Sequence, residues 1–259
     1  MKSLEGKAAI VTGSSRGIGR GIALKLAAEG AACVLCARDG QLLAQAAAEI
    51  AAAGGSAASI ALDLREEASA ARLVEFAVSC FGRVDIVVNN AGATKRAEFL
   101  DLTTQDWADG FALKFFGAVR ILHAAWPHLK QAGGSVLNIA GIGGRTPGSA
   151  FAVGGSVNAA LLSLTKSLAE TGLRDGVQVN AINPGAIRTG RLQKRLETLA
   201  AAQGISIAEA EQRFIADNQV TRIGETADIA NMVAFVVGPT GRFLHGALID
   251  MDGGATKTI

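Results

Sequence analysis

The chain has 259 residues, 49% of them hydrophobic, with 32 glycines, 4 prolines and a formal net charge of +2. That length supports one large α/β domain with a well-buried core. The near-neutral charge gives no electrostatic ground for nucleic acid or a membrane surface as partner, and no apolar run approaches the ~20 residues that span a bilayer.

In chain order, residues 7–12 read as a short buried strand that runs into a Gly-rich turn, and 19–30 as a helix. A strand over 32–37 and an Ala-rich helix over 41–53 follow, the helix stopped by Gly54-Gly55. The next strand, 59–62, ends at Asp63, and 68–81 is a helix. A strand over 84–88 enters Asn89-Asn90-Ala91-Gly92, and a long helix is expected over 104–130. A strand at 135–139 precedes a helix at 156–171, and a strand at 177–182 enters Asn183-Pro184-Gly185. Helix-prone stretches at 192–202 and 208–216 lead to a helix at 227–237 and a last strand at 247–249, before Asp252-Gly253-Gly254. Strand and helix alternate throughout. The expected architecture is therefore a single Rossmann-type α/β domain over 1–259, a doubly wound parallel sheet of about seven strands with helices on both faces. The polar segment 190–219 reads either as a helical lid over a ligand site or as a plain surface helix pair.

Cys33 and Cys36 form a C-x-x-C spacing, but inside a strand, where residues three apart point to opposite faces. A redox pair opens a helix and a zinc site needs more ligands, so a structural role is expected. Three cysteines in all, and no secretory leader pattern, lead to the expectation of a reducing cytoplasm. His123, His128 and His245 show no metal or triad spacing and are read as structural, and no metal site is expected.

The turn Thr12-Gly13-Ser14-Ser15-Arg16-Gly17-Ile18-Gly19 separates a strand from a helix. Glycines there permit a tight turn and close approach of a pyrophosphate, while the helix start offers free N–H groups and the positive end of its dipole. The spacing is G-x-x-x-G-x-G rather than G-x-G-x-x-G.

With this motif the chain resembles the short-chain dehydrogenases/reductases, and the resemblance runs over nearly its whole length. Asp63-Leu64 is similar to the family's adenine-contacting pair, and Asn89-Asn90-Ala91-Gly92 to the motif lining the cofactor. The run Asn183-Pro184-Gly185-Ala186-Ile187-Arg188-Thr189 resembles the segment at the nicotinamide end. Arg222-Ile223-Gly224-Glu225 and Asp252-Gly253-Gly254 match two later landmarks. The resemblance implies a cofactor site made from Gly13, Ser15, Arg16, Gly17, Ile18, Gly19, Arg38, Asp63, Leu64, Asn90, Ala91, Gly92, Asn158, Pro184, Gly185, Ile187 and Thr189. It also implies a small-molecule substrate or ligand and a homo-oligomer, a tetramer or a dimer, built on the long helix and the last strand.

Charge argues the choice of cofactor. A carboxylate at the end of the second strand would bind ribose hydroxyls and repel a 2′-phosphate. This chain has Ala37 there, then Arg38, with Arg16 inside the turn. Two guanidinium groups favour a phosphate, so NADP(H) is expected over NAD(H).

The family's reaction uses a tyrosine acid tuned by a lysine, with a serine and an asparagine beside them. This chain has no tyrosine. Anchored on Leu164-Thr165-Lys166-Ser167, the family's catalytic positions fall on Lys114, Gly141, Gly154 and Asn158. A register with Phe151 at the tyrosine position rescues nothing, because a phenyl ring donates no proton. Asn has become Lys at 114 and Lys has become Asn at 158: the Lys114 amine either reaches toward the volume vacated at 158 or belongs to a surface or salt-bridged lysine, and Asn158 either hydrogen-bonds a nicotinamide ribose hydroxyl or is a helix residue without chemistry. The two glycines are expected to enlarge the pocket, admit water or make room for a bulkier ligand. Arg96 and Arg145 read either as solvated loop charges or as groups that bind an anionic substrate. Three functions stay open: an oxidoreductase with a non-standard site whose proton comes from the substrate, Lys114 or water; a dinucleotide-binding pseudoenzyme or sensor subunit; and a non-redox enzyme reusing the fold. Reduction of ordinary ketones is expected to be weak at most.

Overall fold

The computed structural model describes residues 2–257, so residues 1, 258 and 259 of the expected 1–259 domain lie outside it. Seven strands form one parallel sheet: β1 Ala8–Thr12, β2 Ala32–Ala37, β3 Ser56–Ala61, β4 Ile86–Asn89, β5 Ser135–Ile139, β6 Gln178–Pro184 and β7 Leu248–Met251. Their order is β3-β2-β1-β4-β5-β6-β7. The inner strands β1, β4, β5 and β6 are buried at every position, as a sheet covered on both faces requires.

One face carries α1 Gly17–Ala28, α2 Gly40–Ala52 and α9 Thr226–Val237, around a cluster that includes Val11, Ile22, Leu26, Leu35, Ile182 and Val233. The other carries α3 Ser69–Phe81 and α5 Gly117–Ala132, around Ile10, Val34, Leu73, Val87, Ile121 and Leu129. Cys33 belongs to the first cluster and Cys36 to the second, so the C-x-x-C pair does straddle the sheet. Burial pushes both thiols up to about 12, far from redox use.

The expected 104–130 helix is three pieces: α4 Thr104–Phe111, a π-helical turn Ala112–Phe116, and α5. A capping box between Thr103 and Asp106 starts α4. The π turn adds a residue to the helical repeat and so rotates the side chains beyond it. Gly110 and Gly117 flank it where the chain packs tightly, and a Cβ on Gly117 would stand 3.2 Å from the Leu64 carbonyl oxygen.

Helix α6, Ala152–Asp175, begins four residues earlier than expected. It runs through Gly154-Gly155, against the poor helix propensity of glycine, with Gly154 buried under the Phe151 ring and Gly155 against Pro147 and the Gly143 carbonyl. The polar segment forms α7 Gly190–Gln203 and α8 Ile207–Asp217, held together by Leu192, Leu196, Phe214 and Ile223.

Candidate functional site

The sheet order reverses between β1 and β4, and the carboxyl ends of those strands open the crevice where such sheets bind ligands. Thr12 joins the two. Its Oγ1 accepts the N–H groups of Asn90 at 2.9 Å and Ala91 at 3.0 Å, and donates to the Val88 carbonyl at 3.3 Å. The Asn90 amide donates back to the Thr12 carbonyl at 2.9 Å and to that of Gly13 at 3.3 Å. The buried Ser14 hydroxyl accepts the Cys36 N–H at 3.0 Å, tying the turn to the end of β2. Residue type does not mark Thr12 and Ser14 within the motif; their burial as polar residues reveals them.

Gly13 and Gly17 take φ values of +65° and +57°, which side chains disfavour. A Cβ on Gly19 would collide with the Gly13 carbonyl and the Asn90 amide. Gly19→Ala should therefore cost roughly 1–3 kcal/mol by overpacking, read by calorimetry as a fall in Tm; an unchanged Tm contradicts this geometry. Arg16 precedes α1 without a side-chain cap, and no acidic residue sits in the helix's first turn. The N–H groups and positive dipole end of α1 are thus open to an anion, as a pyrophosphate needs. Ile18 packs beneath them on the core and Ser15 lies partly exposed in the turn.

Beyond β2, Arg38 is largely exposed, with a guanidinium nitrogen 4.0 Å from Asp63. Arg65 approaches the same carboxylate at 3.7 Å, and Leu64 is buried. The neighbouring carboxylate, Asp39, caps α2 by accepting the Leu42 N–H at 3.1 Å, and Arg16 is exposed in the turn. The positions near an adenosine ribose therefore present mainly guanidinium groups.

The four family catalytic positions lie close together. Lys114 stands in the π turn, and its Nζ donates to the Asn158 Oδ1 at 2.6 Å and to the Ala140 carbonyl at 2.5 Å. The amine does span the distance from 114 to 158. Burial, and then the charge of Arg191, push the ammonium down to about 7. Asn158 is 4% exposed and its carbonyl oxygen is engaged by Lys114, which removes that oxygen from the ribose role expected of it. Gly141 takes φ +140°, and a Cβ there would stand 3.0 Å from the Asn158 amide nitrogen.

The expected enlargement of the pocket at the two glycines is corrected at Gly154. The Phe151 ring lies where a side chain on Gly154 would begin, and also 2.8 Å from a Cβ placed on Gly143. The Arg96 guanidinium covers that ring, 4.0 Å from its centroid. An aromatic plug from the same helix start thus takes up the volume, a long-range fit that residue types alone do not display.

On the far side, Gly185 packs against Asp252 so closely that a Cβ would stand 2.7 Å from its Cα. Ile187 is buried and pairs with Gly224, and the Thr189 methyl stands 3.3 Å from a Cβ placed on Gly17. Pro184 ends β6 beside these residues, so Pro184, Gly185, Ile187 and Thr189 form one wall facing the Gly-rich turn. Arg145 is corrected as a ligand for an anion: it bonds Asp250 at 2.7 Å, and Asp250 also accepts from Asn183 at 2.8 Å. From α7, Arg191 donates to the Gly92 carbonyl at 3.0 Å, which ties the start of that helix to the loop after β4. His245 lies 2.7 Å from the Ala169 carbonyl, remote from this cleft. Among the described residues no group of His, Cys, Asp or Glu is disposed to hold a metal ion.

A parallel sheet with a glycine cradle at its switch point and an uncapped helix start defines a dinucleotide-binding Rossmann protein. A family model described as enoyl-(acyl carrier protein) reductase matches residues 13–256. An uncharacterized oxidoreductase of Mycobacterium tuberculosis is 38% identical over 258 residues, covering 99% of this chain and 94% of the relative. The L-sorbose reductase of Gluconobacter frateurii, solved with NADPH and L-sorbose, superposes with a TM-score of 0.96 at 30% identity over all of both chains. An actinorhodin polyketide ketoreductase variant solved with NADPH superposes at 0.91, with 28% identity over 97% of this chain and 98% of the other. The chain belongs to the short-chain dehydrogenase/reductase family.

Proposed function

We propose that this protein is an NADP(H)-dependent oxidoreductase with a non-standard active site, in which Lys114 handles the proton assigned to tyrosine elsewhere in the family. The observation that carries the reading is the Lys114 amine at the family's catalytic cluster, held by two acceptors and titrating near neutrality. The oxidoreductase relatives and the structural neighbours holding NADPH support the class and the cofactor.

The cofactor's part is hydride exchange with a substrate carbon, leaving a proton to be supplied to the carbonyl oxygen during reduction or withdrawn from the alcohol during oxidation. An ammonium has three N–H donors. Two are fixed on Ala140 and Asn158, which leaves the third for a substrate oxygen. After donation the neutral amine keeps both hydrogen bonds and exposes its lone pair, so Lys114 changes protonation state without losing its place. A group with a pKa near the working pH serves either direction. Gly92 packs on the Lys114 stem, where a Cβ would stand 2.8 Å from its Cδ, and fixes the approach of the amine.

Arg38 is assigned to the 2′-phosphate. Arg38→Asp should weaken NADPH binding about 10- to 100-fold, as expected for loss of a charge-assisted contact, and leave NADH binding equal or tighter. Fluorescence titration with both cofactors checks this; a wild-type preference for NADH overturns the assignment. The overall reading is tested by NADPH oxidation across a panel of carbonyl compounds, wild type against Lys114→Met. A second reading, a cofactor-binding protein without turnover, is favoured by the Phe151 ring over Gly154. It predicts tight NADPH binding with no oxidation by any carbonyl in the panel.

A further inference from the structure

Three arginines stand at the mouth of the cleft, from two separate segments. Arg96 follows the Asn89–Gly92 motif, and Arg191 and Arg195 lie one turn apart on α7. Each is held by a partner that does not cancel its charge. Arg96 lies 4.0 Å above the Phe151 ring, Arg195 lies 4.9 Å above the Phe214 ring, and Arg191 donates to the Gly92 carbonyl at 3.0 Å. Among the described residues none of the three is within 4.0 Å of a carboxylate, whereas Arg145 and Arg188, also beside the cleft, are neutralised by Asp250 and by Glu211 and Glu225. Partial burial, and then the charges of Arg195 and Arg191, push the Arg96 guanidinium down from its ordinary range. Arg191 also adds positive charge to the first turn of α7, which holds no acidic residue, at the positive end of that helix's dipole.

Like charges assembled and positioned in this way, on ring faces and a carbonyl, are costly until an anion arrives. Gly92 links the group to the proposed chemistry, because its carbonyl takes Arg191 while its Cα packs on Lys114. We propose that the substrate carries a carboxylate or phosphate group, bound by Arg96, Arg191 and Arg195 at the cleft mouth with its reacting carbon turned toward Lys114. This rests on the reading of Lys114 as the proton carrier, but the anion site itself can be measured without turnover. The same chemistry could serve the cofactor's own pyrophosphate. The position of Arg96 over Phe151, on the α6 side rather than at the start of α1, favours the substrate.

The test is isothermal titration of oxalate and of inorganic phosphate, with oxamide as neutral control, into protein saturated with NADP+. Wild type should bind at least one of the anions and not oxamide. The Arg96→Gln/Arg195→Gln double variant, which keeps both stems over their rings, should bind it at least about tenfold more weakly with NADPH affinity within about twofold of wild type. Failure of both anions to bind wild type overturns the proposal. So does a double variant whose anion binding is unchanged, or one whose NADPH affinity falls as far as its anion affinity, which assigns the arginines to the cofactor. Lys114→Met should still bind the anion. Retained turnover in that variant would sink the Lys114 reading and leave the anion result standing.

Discussion

Lys114→Met is expected to lower NADPH-dependent carbonyl reduction by about two to four orders of magnitude, the usual worth of a positioned general acid, with NADPH affinity within about twofold of wild type. The pH dependence gives the sharper signature. Reduction needs the ammonium, so its rate should fall as pH rises through about 7; oxidation of the alcohol needs the neutral amine and should rise over the same range. Both limbs should vanish in Lys114→Met. Stability carries a third sign. The folded pKa lies below the ordinary lysine value of 10.5. Below about pH 7 both folded and unfolded chains hold the proton, and the folded state bears the full cost of a buried charge. Between about 7 and 10.5 the unfolded state binds more protons, so wild-type stability should rise with pH across that window. The stability of Lys114→Met relative to wild type should therefore be highest below about pH 7 and decline up to about pH 10.5, on top of a pH-independent loss from the two hydrogen bonds that Met cannot make. Calorimetry across that range checks it, and a pH-independent gap would overturn the assignment of a depressed pKa.

The parts of the fold legible in the sequence are those governed by local rules. Strands β2 and β5 fall where the buried apolar runs place them, Ala32–Ala37 and Ser135–Ile139, because glycine and polar residues bound them closely. The paired helices α7 and α8 appear within two residues of their expected bounds, and Ser206 with Glu209 supplies a capping box. The interruption of the long helix was not legible. A π turn has no strong residue signature; here it is stabilised by tertiary fit, with Gly110 and Gly117 allowing close contact and the Lys114 amine finding two acceptors. The early start of α6 is hidden for a related reason, since its two glycines favour a loop until neighbours bury them.

The site divides along the same line. The needs of the Gly-rich turn are local: positive φ at Gly13 and Gly17 and no room at Gly19, and all three could be read in order. The exchange of Lys and Asn between 114 and 158 is readable once the register is fixed, but only the fold shows the two side chains joined by a 2.6 Å hydrogen bond. By residue type alone Phe151 reads only as a ring that cannot donate the tyrosine's proton. Its actual role, filling space beside Gly154 and carrying Arg96, depends on contacts between distant segments. Arg191 and Arg195 lie on a polar helix, and only the tertiary packing of α7 brings Arg191 to the Gly92 carbonyl and both charges near Arg96.

The plug at Gly154 makes a prediction against the simplest repair. Gly154→Tyr restores the family's acid in name, yet the Phe151 ring occupies the first step of the new side chain. Tyrosine gains about half a kcal/mol of helix propensity over glycine but must displace a packed ring, and overpacking of that kind costs about 1–3 kcal/mol. The balance is a loss, expected as a fall in Tm of about 2–8 °C for a chain of this size. It should bring no gain in turnover, because the lysine that would tune the phenol is Asn158 here. Phe151→Ala empties that volume and alone should also destabilise, by leaving a cavity. The two substitutions should therefore rescue each other, with the double variant more stable than the sum of the single losses requires, a coupling that a double-mutant cycle measures directly. Additive losses would show that the ring and position 154 do not compete for the same space. A Gly154→Tyr protein as stable as wild type would show that the site was open all along, and would return to the two glycines the roomier pocket that their residue types suggest.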